Sequence, residues 1–366
     1  MWITSSIKAA KTPVNIALGN FDGVHLGHQR VMAQVLCEKP SATSADTPID
    51  PPLRPSPAHS PARSVAQSHA ALHDGVPASG YSYLPDFSCS EAIELPMGSA
   101  VSNPTTYATV MTFSPHPQEY FSGISKPLLT PVAEKTWQLA RLGIHQLVML
   151  PFNQALAELS PEAFVEQILI KGLGAKQISV GSDFRFGKGR GGDAAGLKEI
   201  AAGYGVPVVL VPLKHERGDR ISSSRIRQAL QTGDLAEATY LLGRPYTLTG
   251  RVVKGQQLGR TIGFPTANLQ IPEKKYLPRT GVYSTWIYGI TPEPLRGVMN
   301  IGNRPTVEGQ SLSVEVHLLD FSGDLYGQLL TVSLASFIRP EQKFDSLDEL
   351  KAKIAADCQV AIAALI

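Results

Sequence analysis

A turn rich in glycine and histidine near the start of the chain carries the first candidate chemistry. Gly19-Asn-Phe-Asp-Gly-Val-His-Leu-Gly-His28 follows an apolar run that predicts a buried strand, and it precedes a helical pattern. The free N–H groups at a helix start favour a phosphate, and Gly27 lets the backbone approach closely. His25 and His28 are three residues apart, so both imidazoles can donate to a phosphate that gains charge. The alternative is a satisfied surface pair, or a chance metal-like spacing.

A second phosphate site is predicted where Ser222-Ser-Ser-Arg-Ile-Arg227 opens another helix. Three hydroxyl groups and an arginine at a helix N-terminus supply donors and positive charge for a phosphate. The alternative is an ordinary serine N-cap beside a solvated arginine.

A glycine-rich segment, 181–193, follows a third predicted strand. Gly187-x-Gly189-x-x-Gly192 matches the dinucleotide fingerprint as a string, but it comes late in the domain and several residues after the strand. The segment is not a P-loop either, because five residues separate Gly181 from Gly187 and Gly189 stands in place of Ser or Thr. We expect a mobile, cationic loop that grips a nucleotide or substrate phosphate.

The C-terminal third contains a separate set of polar residues. Glycines, an arginine and a Thr/Asn pair occur together between Gly255 and Asn268. Thr266 and Asn268 alternate, so in an extended chain their side chains point the same way and can hold Mg²⁺ and phosphate oxygens. Glu315 interrupts an apolar strand pattern, where a carboxylate is costly without a role or a partner. It is a candidate to accept a hydroxyl proton, or else an outward-facing charge on an alternating strand.

Composition excludes several classes of protein. The 366 residues suggest two domains or three, and a net charge of +2 (33 basic minus 31 acidic) argues against nucleic-acid binding through a polybasic tail. Cys37, Cys89 and Cys358 lie far apart with no CxxC pair, so we expect no structural zinc and a reducing compartment. No apolar run nears the ~18 residues that span a bilayer, and Met1–Pro13 lacks the apolar core of a signal peptide. We therefore expect a cytoplasmic protein that binds no membrane.

These residues must be positioned by two kinds of fold. Before residue 243, strand and helix patterns alternate, which predicts a parallel sheet with helices on both faces. The predicted strands are Val14–Leu18, Ala108–Phe113, His145–Pro151, Gln177–Gly181 and Val206–Val211. The predicted helices are Gly27–Cys37, 130–142 with Thr130 as N-cap and Pro131 at the first position, one opened by Ser160 and Pro161, Ala194–Ala202, Ser223–Leu230 and Asp234–Leu242.

After Gly243, short β-rich runs separated by Gly, Pro and Asn predict a small antiparallel barrel. The predicted strands are Tyr246–Lys254, Gly281–Tyr288, Leu295–Ile301, Ser313–Leu319 and Leu329–Phe337. An amphipathic helix from Asp345 onward is expected to close the barrel. The boundary between the two parts falls near Gly243–Pro245.

One stretch, 39–104, differs in composition from the rest. Half of its 66 residues are Pro, Ser or Ala, and large apolar residues are few. Such a segment buries too little surface to offset its ordering entropy, so we expect a mostly disordered insert. The aromatic residues between Tyr81 and Phe87 are interpreted as incidental, with docking onto the domain as the alternative.

The motifs together resemble the prokaryotic bifunctional riboflavin kinase/FAD synthetase family. The matching segments, in family order, are Gly19–His28, Thr112–Pro117, Gly181–Asp193, Ile221–Arg227, Gly250–Asn268, Gly297–Thr306 and Val314–Phe321. The resemblance implies a Rossmann-like FMN adenylyltransferase domain at 1–244 and a riboflavin kinase barrel at 245–366. It implies that the barrel uses ATP and Mg²⁺ to convert riboflavin to FMN, and that the first domain joins AMP from a second ATP to FMN, giving FAD and pyrophosphate.

The resemblance also implies roles for particular residues. Glu315 matches the family's catalytic base, and Thr266 with Asn268 matches its Mg²⁺ and ATP pair. His25 and His28 match the histidines that steady the α-phosphate, and Arg225 joins them as catalytic. The remaining residues expected to bind nucleotide or flavin are Gly19, Phe21, Asp22, Gly27, Asp183, Phe184, Ser222, Ser223, Ser224, Arg227, Gly255, Gly259, Arg260, Gly263, Pro265, Asn300 and Arg339.

The sequence departs from the family at two places. Ser224 stands where the family usually has Thr, and the insert replaces a short link between the first helix and second strand. The hydroxyl survives and loop-closure entropy grows slowly with length, so we expect folding and catalysis to survive. Two alternatives remain: an enzyme with only one intact activity, and a flavin- or nucleotide-binding regulator without catalysis. The partners expected are small molecules, and the protein is expected to be a monomer with at most weak self-association.

Overall fold

The computed structural model describes residues 1–36, 93–94, 104–216, 218–255, 257–306 and 309–365, and its first part contains alternating strands and helices. In chain order these are β1 (Trp2–Thr4), β2 (Val14–Leu18), α1 (Leu26–Ala33), β3 (Ile93–Glu94), β4 (Tyr107–Ser114), α2 (Pro117–Ser122), α3 (Val132–Arg141), β5 (Gln146–Pro151), α4 (Gln154–Ala157), α5 (Pro161–Ala163), β6 (Ala175–Gly181), β7 (Arg185–Phe186), β8 (Gly192–Asp193), α6 (Ala194–Ala202), β9 (Val208–Val211), β10 (His215–Glu216), β11 (Asp219–Arg220), α7 (Ser223–Thr232) and α8 (Leu235–Leu242). A π-helical segment, Phe164–Gly172, continues α5.

Seven of these strands form one sheet in the order β3-β1-β5-β4-β2-β6-β9. All neighbours are parallel except β3, which runs antiparallel to β1. Successive residues of β2 enter different cores, since Ile16 packs on one face of the sheet and Ala17 on the other. A strand buried on both faces explains the continuous apolar run that identified it. The predicted doubly covered parallel sheet is confirmed.

The start of α3 corrects one local prediction. The helix begins at Val132 with Pro131 as its N-cap, and Thr130 does not cap it. Thr130 Oγ1 instead accepts a hydrogen bond of 2.8 Å from the backbone N–H of Gly23, a residue 107 positions away. A tertiary partner has therefore replaced the local cap. The cap expected at Ser160 is confirmed, because its hydroxyl accepts from Ala163 N–H at 3.1 Å.

The sheet has an edge that sequence patterns did not predict. Trp2–Thr4 forms β1, and Ile93–Glu94 pairs with it antiparallel, Trp2 opposite Glu94 and Ile3 opposite Ile93. Ile93–Glu94 is a short ordered stretch within 39–104, and the expectation of a mostly disordered insert stays a prediction. The rest of the insert before Pro104, including the aromatic stretch Tyr81–Phe87, lies outside the described residues.

The second part of the chain is a closed barrel with a final helix. Its elements are β12 (Thr247–Val253), α9 (Leu258–Thr261), β13 (Ala267–Gln270), β14 (Gly281–Tyr288), β15 (Leu295–Thr306), β16 (Gly309–Leu318), β17 (Leu329–Arg339) and α10 (Leu347–Ala364). The strands close in the order β12-β13-β16-β15-β14-β17, with every pair antiparallel. Helix α10 covers one outer face of the barrel, where Cys358 and Ala361 pack against Val282 and Val298. The predicted barrel with a closing helix is confirmed.

The helices that end the first part share a core with the barrel. Ile226 and Leu230 of α7 and Leu241 of α8 are buried in the same apolar cluster as Tyr283 and Leu334 of the barrel. The two parts are therefore packed against each other through a hydrophobic interface. Among the residues that the structure describes, no helix combines the length and apolarity needed to cross a membrane.

Candidate active sites

The first candidate site is the turn between β2 and α1. Phe21 and Val24 both have positive φ, 52° and 44°, which is a costly conformation for side chains of this size. Both side chains are only 1% exposed, so packing holds the strained backbone in place. The turn lies at the carboxyl end of a central parallel strand, the position where sheets of this kind bind ligands. A Cβ on Gly19 would lie 3.0 Å from the Phe21 ring, which explains the glycine there.

The two histidines of this turn stack on each other. Their ring centroids are 3.5 Å apart and the planes are inclined by 15°. Nδ1 of His25 accepts a hydrogen bond of 3.2 Å from the His28 backbone N–H, so the imidazole proton sits on Nε2. His25 is only 4% exposed, and Nδ1 of His28 is buried without a partner. The alternative of an ordinary surface pair is therefore wrong for these residues.

Burial controls the protonation of this pair. Desolvation lowers the pKa of His25 from 6.5 to about 4, helped by the charges of Arg220 and Arg244. Desolvation also lowers the pKa of His28 well below 6.5, helped by the charge of His25. Both imidazoles are neutral at pH 7, so each can donate one N–H to a ligand without carrying a charge.

Asp22 is buried and bound by other residues of the protein. It is 1% exposed, and both carboxylate oxygens already have protein partners. Oδ1 accepts from the Thr130 backbone N–H at 3.1 Å, and Oδ2 pairs with Arg227 at 2.5 Å. Its backbone carbonyl also accepts from the Ser223 hydroxyl at 2.7 Å. Asp22, Ser223 and Arg227 therefore fasten the β2–α1 turn to the start of α7, and their expected contacts with nucleotide stay predictions.

The start of α7 has the serine N-cap that was given as the alternative, and the phosphate site stays a prediction. Ser222 is the N-cap, and its hydroxyl accepts from the Arg225 backbone N–H at 3.3 Å. The Arg225 guanidinium is not simply solvated, because it pairs with Glu237 of α8 at 2.5 Å and donates to the carbonyls of Glu216 and Asp219. Glu237 was not singled out from the sequence, since it follows Arg225 by twelve residues and lies on the next helix. Ser224 is exposed.

The glycine-rich segment 181–193 contains a small hairpin in which β7 pairs with β8. Asp183 precedes the hairpin and forms an ion pair of 2.6 Å with Arg220 of β11. The charge of Arg220 also helps to lower the pKa of both histidines, which places a cation near the turn. Arg220 is thus a candidate site residue that sequence reasoning missed. Phe184 stacks on Phe186 with ring centroids 5.7 Å apart.

The second candidate site lies on the barrel. Glu315 of β16 is directly opposite Asn268 of β13 on one side and Asn300 of β15 on the other. Residues directly opposite in an antiparallel sheet project from the same face, so these three side chains form one row. The hydroxyl of Thr266 donates to Oε2 of Glu315 at 3.2 Å. The structure therefore brings together four of the residues predicted for the kinase site.

Two glycines let the backbone approach this row closely. A Cβ on Gly255 would lie 2.3 Å from the Asn268 side chain. A Cβ on Gly259 would lie 2.3 Å from the Phe264 carbonyl oxygen and 3.4 Å from Oγ1 of Thr266. The segment around α9 therefore passes very close to the Thr/Asn pair, which is a reason for glycine at both positions.

Three residues near Thr266, namely Arg260, Gly263 and His317, differ in their contacts and exposure. Nδ1 of His317 lies 2.8 Å from the Pro265 carbonyl, which fixes the turn before Thr266. Gly263 has φ of +88°, the left-handed region that glycine adopts without strain. Arg260 is exposed at the end of α9. His317 is a second residue that sequence reasoning missed, although it follows Glu315 by two positions and so shares its face of the strand.

Arg339 lies on the same face but is engaged by α10. It is opposite Val282, which in turn is opposite Asn300, so the row of Glu315 and Asn300 continues toward it. Two nitrogens of the Arg339 guanidinium contact the carboxylate of Asp357 in α10. Nε lies 2.9 Å from Oδ2 and 3.1 Å from Oδ1, and Nη2 lies 2.7 Å from Oδ2. The structure shows Arg339 bound to a carboxylate of the protein, and its expected contact with a substrate stays a prediction.

The barrel row fits a magnesium ion by its chemistry. Thr266, Asn268 and Glu315 offer hydroxyl, amide and carboxylate oxygens, which are the donor types that Mg²⁺ prefers. Thr266 and Glu315 are already within hydrogen-bond distance, so their oxygens converge on one region. A Cβ on residue 255 would meet the Asn268 side chain at 2.3 Å, so the glycine leaves this amide in place.

The fold and the two candidate sites together define a class of enzyme. One site is a strained turn and a helix N-terminus at the carboxyl edge of a parallel sheet. The other is a carboxylate beside a Thr/Asn pair on a barrel. Proteins of this class act on nucleotide phosphates, at two separate sites. The model of the FAD synthetase family matches residues 7–46 and 98–225, and that of the riboflavin kinase family matches residues 242–365.

Curated relatives have the same two-domain composition. A bifunctional riboflavin kinase/FMN adenylyltransferase of Escherichia coli K12 is 46% identical over 249 residues, which is 68% of this chain and 79% of that protein. Proteins of the same description from Pseudomonas fluorescens and Bacillus subtilis are 35% and 32% identical, and cover 94% and 97% of this chain and 90% and 94% of their own lengths. The chain belongs to the family of bifunctional riboflavin kinase/FMN adenylyltransferases.

A solved structure has a similar fold. It is described as a macrolide-efflux protein from Streptococcus pneumoniae, is 28% identical, and has a TM-score of 0.70 over 98% of this chain and 97% of that chain. The resemblance stated from the sequence is therefore confirmed, and both enzymatic domains are present. The chain is a bifunctional enzyme of flavin-cofactor synthesis, which favours the main interpretation over the single-activity alternative.

Proposed function

We propose that residues 245–366 phosphorylate riboflavin and that residues 1–244 adenylylate the FMN so formed. In the first reaction the ribityl 5′-hydroxyl of riboflavin takes the γ-phosphoryl group of ATP, giving FMN and ADP. In the second the FMN phosphate attacks the α-phosphate of another ATP, giving FAD and pyrophosphate. The observation that supports this division most strongly is the row Asn268–Glu315–Asn300 with Thr266 beside it, which lies on the barrel.

In the barrel, Glu315 is proposed as the base that takes the proton of the ribityl hydroxyl. Proton transfer to a positioned carboxylate contributes about 10²–10⁴ in rate, and the remainder of a kinase reaction depends on positioning and charge neutralisation. Thr266 and Asn268 would hold Mg²⁺, which when bound offsets the charge of the phosphates. The backbone around Gly255 and Gly259 approaches the same place and is proposed to cover the phosphate chain.

In the first domain, His25 and His28 are proposed to steady the α-phosphate. They are neutral donors in a buried, strained turn, so their N–H groups are fixed before the phosphate gains charge. The start of α7 adds backbone N–H groups and the hydroxyls of its serines. The attacking group is a phosphate oxygen that is already ionised near pH 7, so this reaction needs no strong base from the protein.

Arg225 is proposed to act on the same phosphates from a fixed position. Three of its hydrogen bonds go to Glu237, Glu216 and Asp219, so the guanidinium is held by the protein. A held cation loses less freedom when a phosphate arrives than a solvated one would. We further propose that the enzyme works in the cytoplasm as a monomer, and a single size-exclusion peak near 39.3 kDa is the result expected.

The direct test is one incubation of purified protein with riboflavin, ATP and Mg²⁺, followed by chromatographic separation of the flavins over time. FMN should appear first and FAD second. FMN without FAD would contradict the assignment of the first domain. FAD formed from added FMN, but no product from riboflavin, would contradict the assignment of the barrel. Omission of Mg²⁺ should abolish the reactions of the wild-type enzyme.

A further inference from the structure

A buried ion pair joins the two domains, and neither reaction proposed above uses it. Nζ of Lys275, which follows β13 of the barrel, lies 2.5 Å from Oε2 of Glu134 in α3 of the first domain. The Lys275 side chain has no exposed surface, and that of Glu134 is 10% exposed. Nζ also donates to the Leu129 carbonyl at 2.7 Å and lies 4.3 Å from the centre of the Tyr246 ring.

Such a pair is costly to bury. Burial raises the pKa of Glu134 and lowers the pKa of Lys275, and in each case the charge of the partner opposes the shift. Pairs of this kind contribute little net stability, since apolar side chains of equal size do as well. Their best attested effect is to fix one arrangement of the groups around them. The groups around Lys275 therefore indicate what this pair positions.

Lys275 belongs to a backbone clamp on the segment 127–130. The N–H of Leu128 donates to the Lys274 carbonyl at 2.6 Å, and the N–H of Tyr276 donates to the Leu128 carbonyl at 2.8 Å. The Lys275 side chain then reaches the next carbonyl, that of Leu129. Two successive residues of the first domain are thus held by three successive residues of the barrel.

The same segment holds the β2–α1 turn on its other side. Thr130 donates its backbone N–H to Asp22 and accepts at its hydroxyl from the Gly23 N–H. Arg227 of α7 pairs with Asp22 and donates to the Pro127 carbonyl at 3.0 Å. Both phosphate motifs of the first domain are therefore attached to 127–130, and 127–130 is attached to the barrel.

We propose that Lys275, a residue of the kinase domain, is a positioning residue for the adenylyltransferase reaction. Its ion pair with Glu134 and its bond to Leu129 keep 127–130 in register, which sets the turn of His25 and the start of α7 for the ATP phosphates. This inference rests on the proposed function of the first domain. It predicts that one lysine of the barrel affects ATP binding at the turn of His25 and at the start of α7, both in the first domain.

The test is the full-length variant Lys275→Met, which keeps the length of the side chain and removes its charge and donors. FAD formation from added FMN should show KM for ATP raised at least about fivefold, with KM for FMN within about twofold of wild type. FMN formation from riboflavin should keep kcat/KM within about twofold. A loss of folded molecules would lower kcat and leave both KM values unchanged, so the KM for ATP separates positioning from stability.

Two further variants complete the design. Lys274→Met changes the exposed neighbour, whose backbone carbonyl remains in the clamp, and should leave both reactions unchanged. The double variant Lys275→Met with Glu134→Met removes both buried charges. It should recover thermal stability but keep the raised KM for ATP, because the bond to Leu129 is still missing.

The inference is overturned if KM for ATP in FAD formation is unchanged in Lys275→Met, or if both reactions lose activity equally. Failure of the proposed function looks different, since the wild-type enzyme would then form no FAD from FMN.

Discussion

The hydroxyl of Thr266 donates a hydrogen bond of 3.2 Å to the carboxylate of Glu315, from the turn that leads into the neighbouring strand. The contact joins the expected metal ligand to the expected base, so one carboxylate edge is fixed before any substrate arrives. Asn268 and Asn300 flank Glu315 in the strand register and complete a polar row on the barrel. Preorganised polar groups of this kind are what phosphoryl transfer requires from a protein.

Replacing Glu315 by alanine should abolish the kinase reaction and spare the other. The variant loses the proposed base, so FMN formation from riboflavin should fall by at least about 10²-fold. FAD formation from supplied FMN should remain near wild type, because the two sites lie on separate domains. Flavin chromatography after each incubation measures both. Glu293→Ala, which removes an exposed carboxylate of the same barrel, is the matched control and should change neither rate. Loss of both activities in a folded Glu315→Ala protein would count against the division.

Gly255→Ala should lower the kinase activity although it removes none of the polar groups of the site. The added methyl group would lie 2.3 Å from the Asn268 side chain, which must therefore move away from the row. Misplacement of a ligand by about 1 Å can cost roughly 100-fold, so we expect a fall in riboflavin phosphorylation of at least tenfold. Gly196→Ala is the control, since its methyl group meets nothing closer than 3.5 Å and lies within helix α6. Equal kinase rates for the two variants would contradict this account.

The histidine pair should make stability depend on pH below neutrality. The unfolded chain binds a proton at His25 near pH 6.5, whereas the folded chain resists it until about pH 4. The unfolded state therefore binds more protons in that window, and the free energy of unfolding falls as pH drops from about 6.5 to 4. For His25 the loss is about 3 kcal/mol over the window.

His25→Asn is the variant that tests this window. Asparagine is a good N-cap, so it replaces Nδ1 as acceptor for the His28 N–H while removing the titration. Urea denaturation between pH 4.5 and 7 should show a flatter pH dependence than wild type. FAD formation should still fall, because the Nε2 donor is gone. His215→Asn, at an exposed histidine, should keep the wild-type profile. His28 still contributes in this variant, so a profile as steep as that of the wild type in His25→Asn would refute the assignment.

Asp22→Asn should destabilise the first domain. Asp22 is 1% exposed, and the change leaves Arg227 facing an amide instead of a carboxylate. Breaking a fully buried pair costs about 3–5 kcal/mol, and partial exposure of the Arg227 side chain reduces this to about 2 kcal/mol. The midpoint of urea denaturation measures it. Asp320→Asn breaks an exposed pair with Arg296 and should cost less than about 1 kcal/mol. Equal midpoints for the two variants would show that Asp22 does not fasten the turn.

Periodicity predicted the elements well where burial alone decides them. Helix α6 over Ala194–Ala202 and strand β14 over Gly281–Tyr288 have the bounds expected from the pattern. Motif spacing also indicated the two sites, and the structure places Thr266, Asn268, Glu315 and Asn300 together as the resemblance implied. A three-residue edge strand such as β1 gives no such pattern, because its length is too short for a period to show.

Partners distant in sequence could not be predicted. Arg225 meets Glu237, Arg339 meets Asp357, and Lys275 meets Glu134 across 141 positions. Each contact depends on how helices pack against a sheet or barrel, which residue spacing does not determine. For the same reason Thr130 was expected to cap its own helix, whereas it binds Gly23. The sequence therefore identified the polar groups of the sites, whereas the side chains that hold those groups in place became known only from the structure.

Deletion of 40–103 should preserve both activities within about tenfold. The segment has the composition of a disordered insert, and the part of it that the structure describes is the strand Ile93–Glu94. That strand pairs with β1 at the edge of the sheet. Strands β1, β5 and β4 lie between it and β2. The turn with His25 follows β2, four strands away from Ile93–Glu94 in the order of the sheet.

The same pairing predicts a difference between two deletions. Removal of 40–103 exposes the edge of β1, whose N–H and C=O groups then lose their partner strand. Removal of 40–90 keeps Ile93 and Glu94 and should have the higher melting temperature of the two. FAD and FMN formation should be alike in both variants. A soluble 40–103 deletion without FAD formation, beside an active 40–90 deletion, would show that the edge strand matters for catalysis as well as for stability.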